Sequence, residues 1–196
     1  MMERTSVVSR NTKETEIQIS LNLDGSGKAD IQTGIGFFDH MLNSFARHGF
    51  FDLTVKVKGD LEVDTHHTIE DTGIVLGQAI KQAVGDKKGI VRYGSQILPM
   101  DESLVLCALD LCGRPYLVYD LDLDREKVGD LETEMDRDFF YAVSYAAEMN
   151  LHIRQMAGMN NHHIIEAAFK AFAKALDSAV AAEPRLTGVL STKGSL

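Results

Sequence analysis

The feature that most constrains the fold is an internal repeat. Alternating apolar and polar residues predict strands, and apolar residues spaced three and four apart predict helices. In both halves of the chain these patterns come in the same order: strands, a helix, a further strand and a second helix. We therefore expect an α+β fold in one domain of residues 1–196. It would consist of two pseudo-repeats, about 1–90 and 91–196, with helices packed on a mixed β-sheet.

The individual elements follow from the same patterns. In the first half we expect a strand at 16–23, a return strand at 29–33, a helix at 37–48, a strand at 53–58 and a helix at 68–84. The glycine-rich turn at 24–27 predicts a hairpin between the first two strands. In the second half we expect strands at 95–100, 104–111 and 116–123, a helix at 139–149, a strand at 151–156 and a helix at 161–182.

Two motifs of the form His-His-x-x-Glu begin the last predicted helix of each half. They consist of His66, His67 and Glu70, and of His162, His163 and Glu166. Imidazole and carboxylate together suit a divalent metal ion. Adjacent residues point about 100° apart on a helix, so the two rings of one motif cannot easily reach one ion. We therefore expect each motif to give a histidine and its glutamate to one ion and the other histidine to a second.

The repeat also suggests a further ligand for each ion. When the two motifs are superposed, His40 falls near Asp138, because they precede His66 and His162 by 26 and 24 residues. Each of them could complete one site. Four protein ligands on a six-coordinate ion leave positions open for a substrate, which is typical of a catalytic metal. The remaining histidines, His48 and His152, are interpreted as structural.

The charge balance bears on possible partners. The chain has 20 Lys and Arg against 29 Asp and Glu, a formal net charge of −9, with no basic block. Such a chain is a poor candidate for binding nucleic acid or an anionic membrane. It has no run of 18 apolar residues, and residues 1–6 lack the apolar core of a signal peptide. We expect a cytoplasmic protein.

Several segments together resemble one known family. They are RNTKET at 10–15, GIGFFDHML at 34–42, DTHHTIEDTG at 64–73, the stretch 158–176 around the second histidine pair, and STKG at 191–194. These segments resemble the imidazoleglycerol-phosphate dehydratases of histidine biosynthesis over nearly the whole chain. Where this chain has Asp138, the family often has His or Glu.

The resemblance implies a reaction and an assembly. A carbon–oxygen lyase, or hydro-lyase, of this family converts imidazole glycerol phosphate to imidazole acetol phosphate through a metal-bound imidazolate. It uses two Mn²⁺ ions per active site. The family also implies a homo-oligomer of twenty-four chains whose active sites lie between subunits.

The residues then take the following roles. The metal ligands are His40, His66, His67, Glu70, Asp138, His162, His163 and Glu166. Glu14, in the first matching segment, is the candidate for the base or for a contact to a substrate hydroxyl, and His66, His67 and Glu166 are assigned to catalysis with it. The substrate phosphate is assigned to cationic and hydroxyl side chains: Arg92, Arg114, Lys170, Ser191, Thr192 and Lys193.

Two other functions remain open on the residues alone. A dinuclear metal hydrolase also activates water with paired ions, but it would release phosphate, whereas the dehydratase retains it. A metal-storage or metal-carrier protein would bind ions without catalysis. Storage would tolerate the loss of Glu14, Arg92 and Lys193, and a dehydratase would not.

Overall fold

Each half of the chain forms three strands, a helix, a fourth strand and a second helix. The computed structural model describes residues 4–196. Residues 1–3, which belong to the segment 1–6 that lacks the apolar core of a signal peptide, lie outside it. The first half contains β1 (Thr5–Asn11), β2 (Thr15–Asn22), β3 (Ala29–Gln32), α1 (Gly36–Gly49), β4 (Asp52–Gly59) and α2 (His66–Val84). The second contains β5 (Tyr93–Met100), β6 (Ser103–Asp110), β7 (Tyr116–Asp120), α3 (Glu134–Ala147), β10 (Asn150–Ala157) and α4 (Asn161–Val180), with short β8 (Lys127–Val128) and β9 (Leu131–Glu132) before α3.

The two halves build equivalent sheets. The strand orders are β1-β2-β4-β3 and β5-β6-β10-β7. In each sheet the edge strand β3 or β7 is parallel to its neighbour, and the other pairs are antiparallel. The predicted α+β duplication with mixed strand directions is therefore confirmed.

The predicted hairpin at 24–27 is wrong. The strand β3 does not pair with β2, because β4 lies between them. One carboxylate explains the path of the chain. Asp52, at the start of β4, accepts the backbone N–H groups of Ser26 and Lys28 at 2.8 and 3.0 Å. The glycine-rich segment is thereby attached to β4, and β3 continues parallel to that strand.

One strand and one helix boundary also differ from the sequence prediction. The strand β1 was not predicted, because its two apolar residues, Val7 and Val8, are adjacent and give no apolar–polar alternation, although burial does alternate along the strand. The helix α3 begins at Glu134 rather than near 139, since polar Asp136 occupies a core position and is only 2% exposed. Tyr119 donates a hydrogen bond of 2.5 Å to Asp136. Burial raises the pKa of Asp136 to about 7, although the Tyr119 hydrogen bond acts in the opposite direction.

The four long helices lie between the two sheets. The helices α1 and α2 pack on the first sheet and α3 and α4 on the second, while α1 contacts α4 and α2 contacts α3. Buried aromatic side chains fill the α1–α4 contact, where the Phe45 and Phe172 rings stack with centroids 5.3 Å apart. His40 lies near Glu166, and Phe50 near Lys174, so α1 and α4 run in the same direction. Within residues 4–196, no helix is long and apolar enough to cross a membrane.

Gly94 allows α4 to lie close against β5. A Cβ at this position would be 1.8 Å from the carbonyl oxygen of Ala175. We expect Gly94→Ala to lower the free energy of unfolding by about 3 kcal/mol or more, because backbone atoms cannot yield to it. Thermal unfolding of this variant should be compared with that of Gly188→Ala, where a Cβ meets nothing within 4 Å. Equal melting temperatures for both variants would contradict this packing.

Candidate metal centre and phosphate pocket

The two histidine motifs form the first turns of α2 and α4. Each first turn is held by a side chain two residues before the first histidine. Asp64 accepts the backbone N–H of His66 at 2.8 Å, and Asn160 accepts that of His162 at 3.0 Å. Such hydrogen bonds satisfy amide groups that have no partner inside the helix. The same device therefore fixes both motifs at the same point of the repeat.

Three side chains from α1 and α4 converge on one point. One carboxylate oxygen of Glu166 is 3.3 Å from Nε2 of His40 and 3.1 Å from Nε2 of His162. Among residues 4–196 these three form the one group of three or more His, Cys, Asp or Glu residues whose possible ligand atoms all lie within 4.8 Å of one another. Two imidazoles and a carboxylate at these separations fit the donor set of a divalent ion.

The surroundings of Glu166 hold this triad in place. Glu166 is 6% exposed, and the Lys170 ammonium, one turn further along α4, is 2.6 Å from its other oxygen. Burial alone would raise the pKa of Glu166, but the hydrogen bond from Lys170 and the charges of Lys170 and His40 outweigh it and lower that pKa. The Phe37 ring packs edge-on against His162 at 4.9 Å between centroids. Glu166 is therefore an ionised, oriented carboxylate.

The first motif is more open. Nε2 of His66 is 3.5 Å from Glu70, and both side chains are more than two-fifths exposed. Asp138 lies on α3, which packs against α2 as α1 packs against α4. Its nearest charged partner is Arg137, at 3.6 Å. Asp138 does not join His66 and Glu70 within ligand distance, so its role in a second metal site stays a prediction.

The second histidine of each motif points elsewhere. The rings of His66 and His67 are tilted by 80°, and those of His162 and His163 by 81°. A hydrogen bond to Asp60 raises the pKa of His67, and one to Glu102 raises the pKa of His163. The second histidines therefore do not converge with the glutamate of their own motif on one point. The division of each motif between two ions stays a prediction.

Two further residues are placed by the fold. The carboxylate of Glu14, in the turn between β1 and β2, is 3.9 Å from Nε2 of His67. It therefore lies beside a predicted ligand, as a base for a bound substrate would. His152 lies on the exposed outer face of the second sheet, between Ala108 and Val118 in register.

Five of the six residues assigned to phosphate line one open pocket. Its volume is about 670 Å³, and its lining includes Arg92, Arg114, Ser191, Thr192 and Lys193. Arg92 forms two hydrogen bonds to Asp110, at 2.6 and 2.9 Å, and donates a third to the carbonyl of Leu190. It thereby attaches the C-terminal segment to β6. The sixth residue, Lys170, lies instead at the metal triad.

The pocket and the triad lie at opposite ends of α4. The backbone N–H of Arg92 donates to the carbonyl of Ala179, near the last turn of the helix. Glu166 lies in the second turn. At 1.5 Å per residue, the helix separates the two positions by about 20 Å. A small substrate cannot reach from one to the other within a single chain.

Sequence reasoning assigned no role to four residues that shape the site. Asp60 and Glu102 contact the second histidines. Phe37 packs on His162, and Asp130 accepts the N–H groups of Gly36 and Phe37 at 3.0 and 3.3 Å. One signal was available for Glu102, which precedes β6 as Glu14 precedes β2. Asp60 directly follows β4, while Asp130 comes from a loop of the other half that no local pattern connects to α1.

Comparisons with known proteins point to one family. A family model described as imidazoleglycerol-phosphate dehydratase matches residues 33–176. The chain is 68% identical over 195 residues to the imidazoleglycerol-phosphate dehydratase of Lachnoclostridium phytofermentans and 63% identical to that of Acetivibrio thermocellus, each time covering 100% of both chains.

Solved structures give the same result. The imidazoleglycerol-phosphate dehydratase of Staphylococcus aureus matches with a TM-score of 0.82 and 41% identity over 91% of this chain and 99% of that one. The enzyme of Pyrococcus furiosus, solved in complex with (S)-C348, matches with a TM-score of 0.84 and 34% identity over 96% and 100%. The resemblance seen in the sequence is confirmed, and the chain belongs to the imidazoleglycerol-phosphate dehydratase family.

Proposed function

We propose that the chain removes water from imidazole glycerol phosphate to give imidazole acetol phosphate, a step of histidine biosynthesis, at a site that holds two Mn²⁺ ions. The observation that best supports a metal site is the convergence of His40, His162 and Glu166 on one point. The membership of the family over the full chain supports the reaction.

The donor set suits the proposed ions. Imidazole nitrogens and carboxylate oxygens bind borderline and hard divalent ions, and Mn²⁺ accepts both. In the proposed site, His40, His162 and Glu166 hold one ion, His66, Glu70 and Asp138 hold the other, and His67 and His163 supply the remaining ligand of each. Such ions would supply Lewis-acid chemistry, which would stabilise the imidazolate form of the substrate ring and so assist departure of the hydroxyl on the adjoining carbon.

The side chains supply the rest of the chemistry. Glu14 is 53% exposed, and its carboxylate is near Nε2 of His67, on the side where the substrate ring would be held. We propose that Glu14 takes the proton from the carbon next to the one that loses the hydroxyl. The phosphate pocket supplies an arginine, a lysine and two hydroxyl groups to fix the other end of the substrate.

The separation of the triad from the phosphate pocket supports a site that includes a second copy of the chain. About 20 Å of helix α4 separates the triad from the phosphate pocket. A substrate of one five-membered ring and a three-carbon chain is much shorter, so its ring and its phosphate would contact different chains. We therefore propose a homo-oligomer with active sites between subunits, of twenty-four chains as the resemblance implies, acting in the cytoplasm.

The test is product analysis with imidazole glycerol phosphate and the Mn²⁺-loaded protein. We expect an enolisable ketone that keeps its phosphate. Release of inorganic phosphate would instead indicate the dinuclear hydrolase. A protein that retains Mn²⁺ but leaves the substrate unchanged would indicate metal storage, and either result would refute the proposed reaction.

A further inference from the structure

His67 and His163 each direct one ring nitrogen to a carboxylate from outside their own helix. Nδ1 of His67 is 3.0 Å from Asp60, and Nδ1 of His163 is 2.7 Å from Glu102. An ionised carboxylate can only accept a hydrogen bond, so Nδ1 carries the proton in each ring. In a neutral ring the lone pair is then on Nε2, the nitrogen available to a metal ion.

We propose that Asp60 and Glu102 are positioning residues that fix the tautomer and orientation of His67 and His163 so that Nε2 of each binds a metal ion. The inference rests on the proposed function, because it presupposes the two ions. Neither carboxylate is assigned as a metal ligand or as a substrate contact. Each acts through the histidine to which it is bonded.

Helix geometry explains why only the second histidines need such partners. The first histidines, His66 and His162, turn Nε2 toward the glutamate four residues later, at 3.5 and 3.1 Å. Their direction is therefore set within the helix. The second histidines point to another side of the helix, where their own motif supplies no acceptor. A carboxylate from a neighbouring loop takes that place.

The two repeats supply this carboxylate from different positions. Asp60 directly follows β4, and the residue that directly follows β10 is Gly158. Gly158 has φ of +122°, and a Cβ there would be 2.3 Å from Oγ of Ser103, so no side chain fits. The second repeat therefore uses Glu102, from the turn between β5 and β6. Its other oxygen accepts the backbone N–H groups of Met159 and Asn160, which holds the carboxylate against the motif.

This difference leaves Glu14 free in the first repeat. Glu14 precedes β2 as Glu102 precedes β6, so the two glutamates are counterparts. Because Asp60 already occupies Nδ1 of His67, Glu14 remains on the Nε2 side, 3.9 Å away. The structure thus separates a positioning carboxylate, Asp60, from the proposed base, Glu14.

The test is Mn²⁺ binding to metal-free protein, without substrate, measured from the electron paramagnetic resonance signal of the free ion. Asp60→Asn and Glu102→Gln should each weaken the binding of Mn²⁺ by about 10-fold to 100-fold. The matched controls, Asp86→Asn and Glu183→Gln, remove charges that pair with Lys88 and Arg185 beyond the C-terminal ends of α2 and α4, and these variants should bind Mn²⁺ as the wild type does. Asp60→Glu, which restores a carboxylate, should recover part of the lost affinity.

The outcomes separate this inference from the proposed function. A wild-type protein that binds no Mn²⁺ would overturn the proposed metal site and, with it, the positioning role. If the wild type binds Mn²⁺ and the folded variants bind it with unchanged affinity, the positioning role alone would be overturned. The two variants lie in different repeats, so either one that folds decides the question for its own histidine. Circular dichroism establishes which variants fold.

Discussion

Glu166→Gln is expected to abolish Mn²⁺ binding at the triad and to lower kcat/KM by about a thousandfold, which corresponds to roughly 4 kcal/mol. Glu166 is the one anion among His40, His162 and Lys170, and its two oxygens serve all three. The amide keeps the shape of the side chain but removes the charge that balances a divalent ion. Steady-state kinetics at saturating Mn²⁺, together with metal analysis of the purified variant, would measure both effects.

A variant on the same helix serves as the control. Asp177→Asn removes an acidic charge that pairs with Lys174 at 3.0 Å, far from the triad. It should retain wild-type metal content and activity. The triad would lose its proposed role if a folded Glu166→Gln protein bound Mn²⁺ as tightly as the wild type.

Two inactive variants are expected to restore activity when they are assembled together. Glu166→Gln lacks the metal triad, and Arg114→Ala lacks an exposed cation of the phosphate pocket. Each retains the half of the site that the other has lost. If one chain supplies the metal ligands and another the phosphate contacts, co-expression should give up to about a quarter of wild-type activity, because each half is intact in half of the chains.

The control for this experiment pairs two defects in the same half. Glu166→Gln co-expressed with His162→Ala leaves no chain with an intact triad, so activity should stay at the level of the single variants. Absence of recovery in the first mixture, with both chains shown to be present in one assembly, would mean that each chain builds its site alone.

Local patterns predicted most of the elements but not how the strands are arranged. The apolar stripes of α1, α2 and α4 were visible because those helices bury one face between the sheets. The pairing of β3 with β4 was not visible, since it depends on Asp52 holding a loop that is distant in sequence. Likewise, Asp136 reads as a solvent-exposed residue until Tyr119 is known to lie beside it in the core.

The candidate site was likewise predictable from the sequence only in part. The histidine motifs and the equivalence of His40 with Asp138 follow from the repeat. That His40 meets the motif of the other half does not follow, because it requires the contact between α1 and α4. The roles of Asp60 and Asp130 depend on hydrogen bonds from loops, and single-sequence periodicity carries no information about them.

The most direct test of a two-ion dehydratase site is the activity of metal-free protein as Mn²⁺ is added in known amounts. The eight proposed ligands of one chain suffice for two ions. Each ion would receive three ligands from two packed helices and a fourth from the second histidine of a motif. Dehydration of imidazole glycerol phosphate should be absent without metal, rise with added Mn²⁺ and saturate at two ions per chain. Full activity in the metal-free protein would contradict the account.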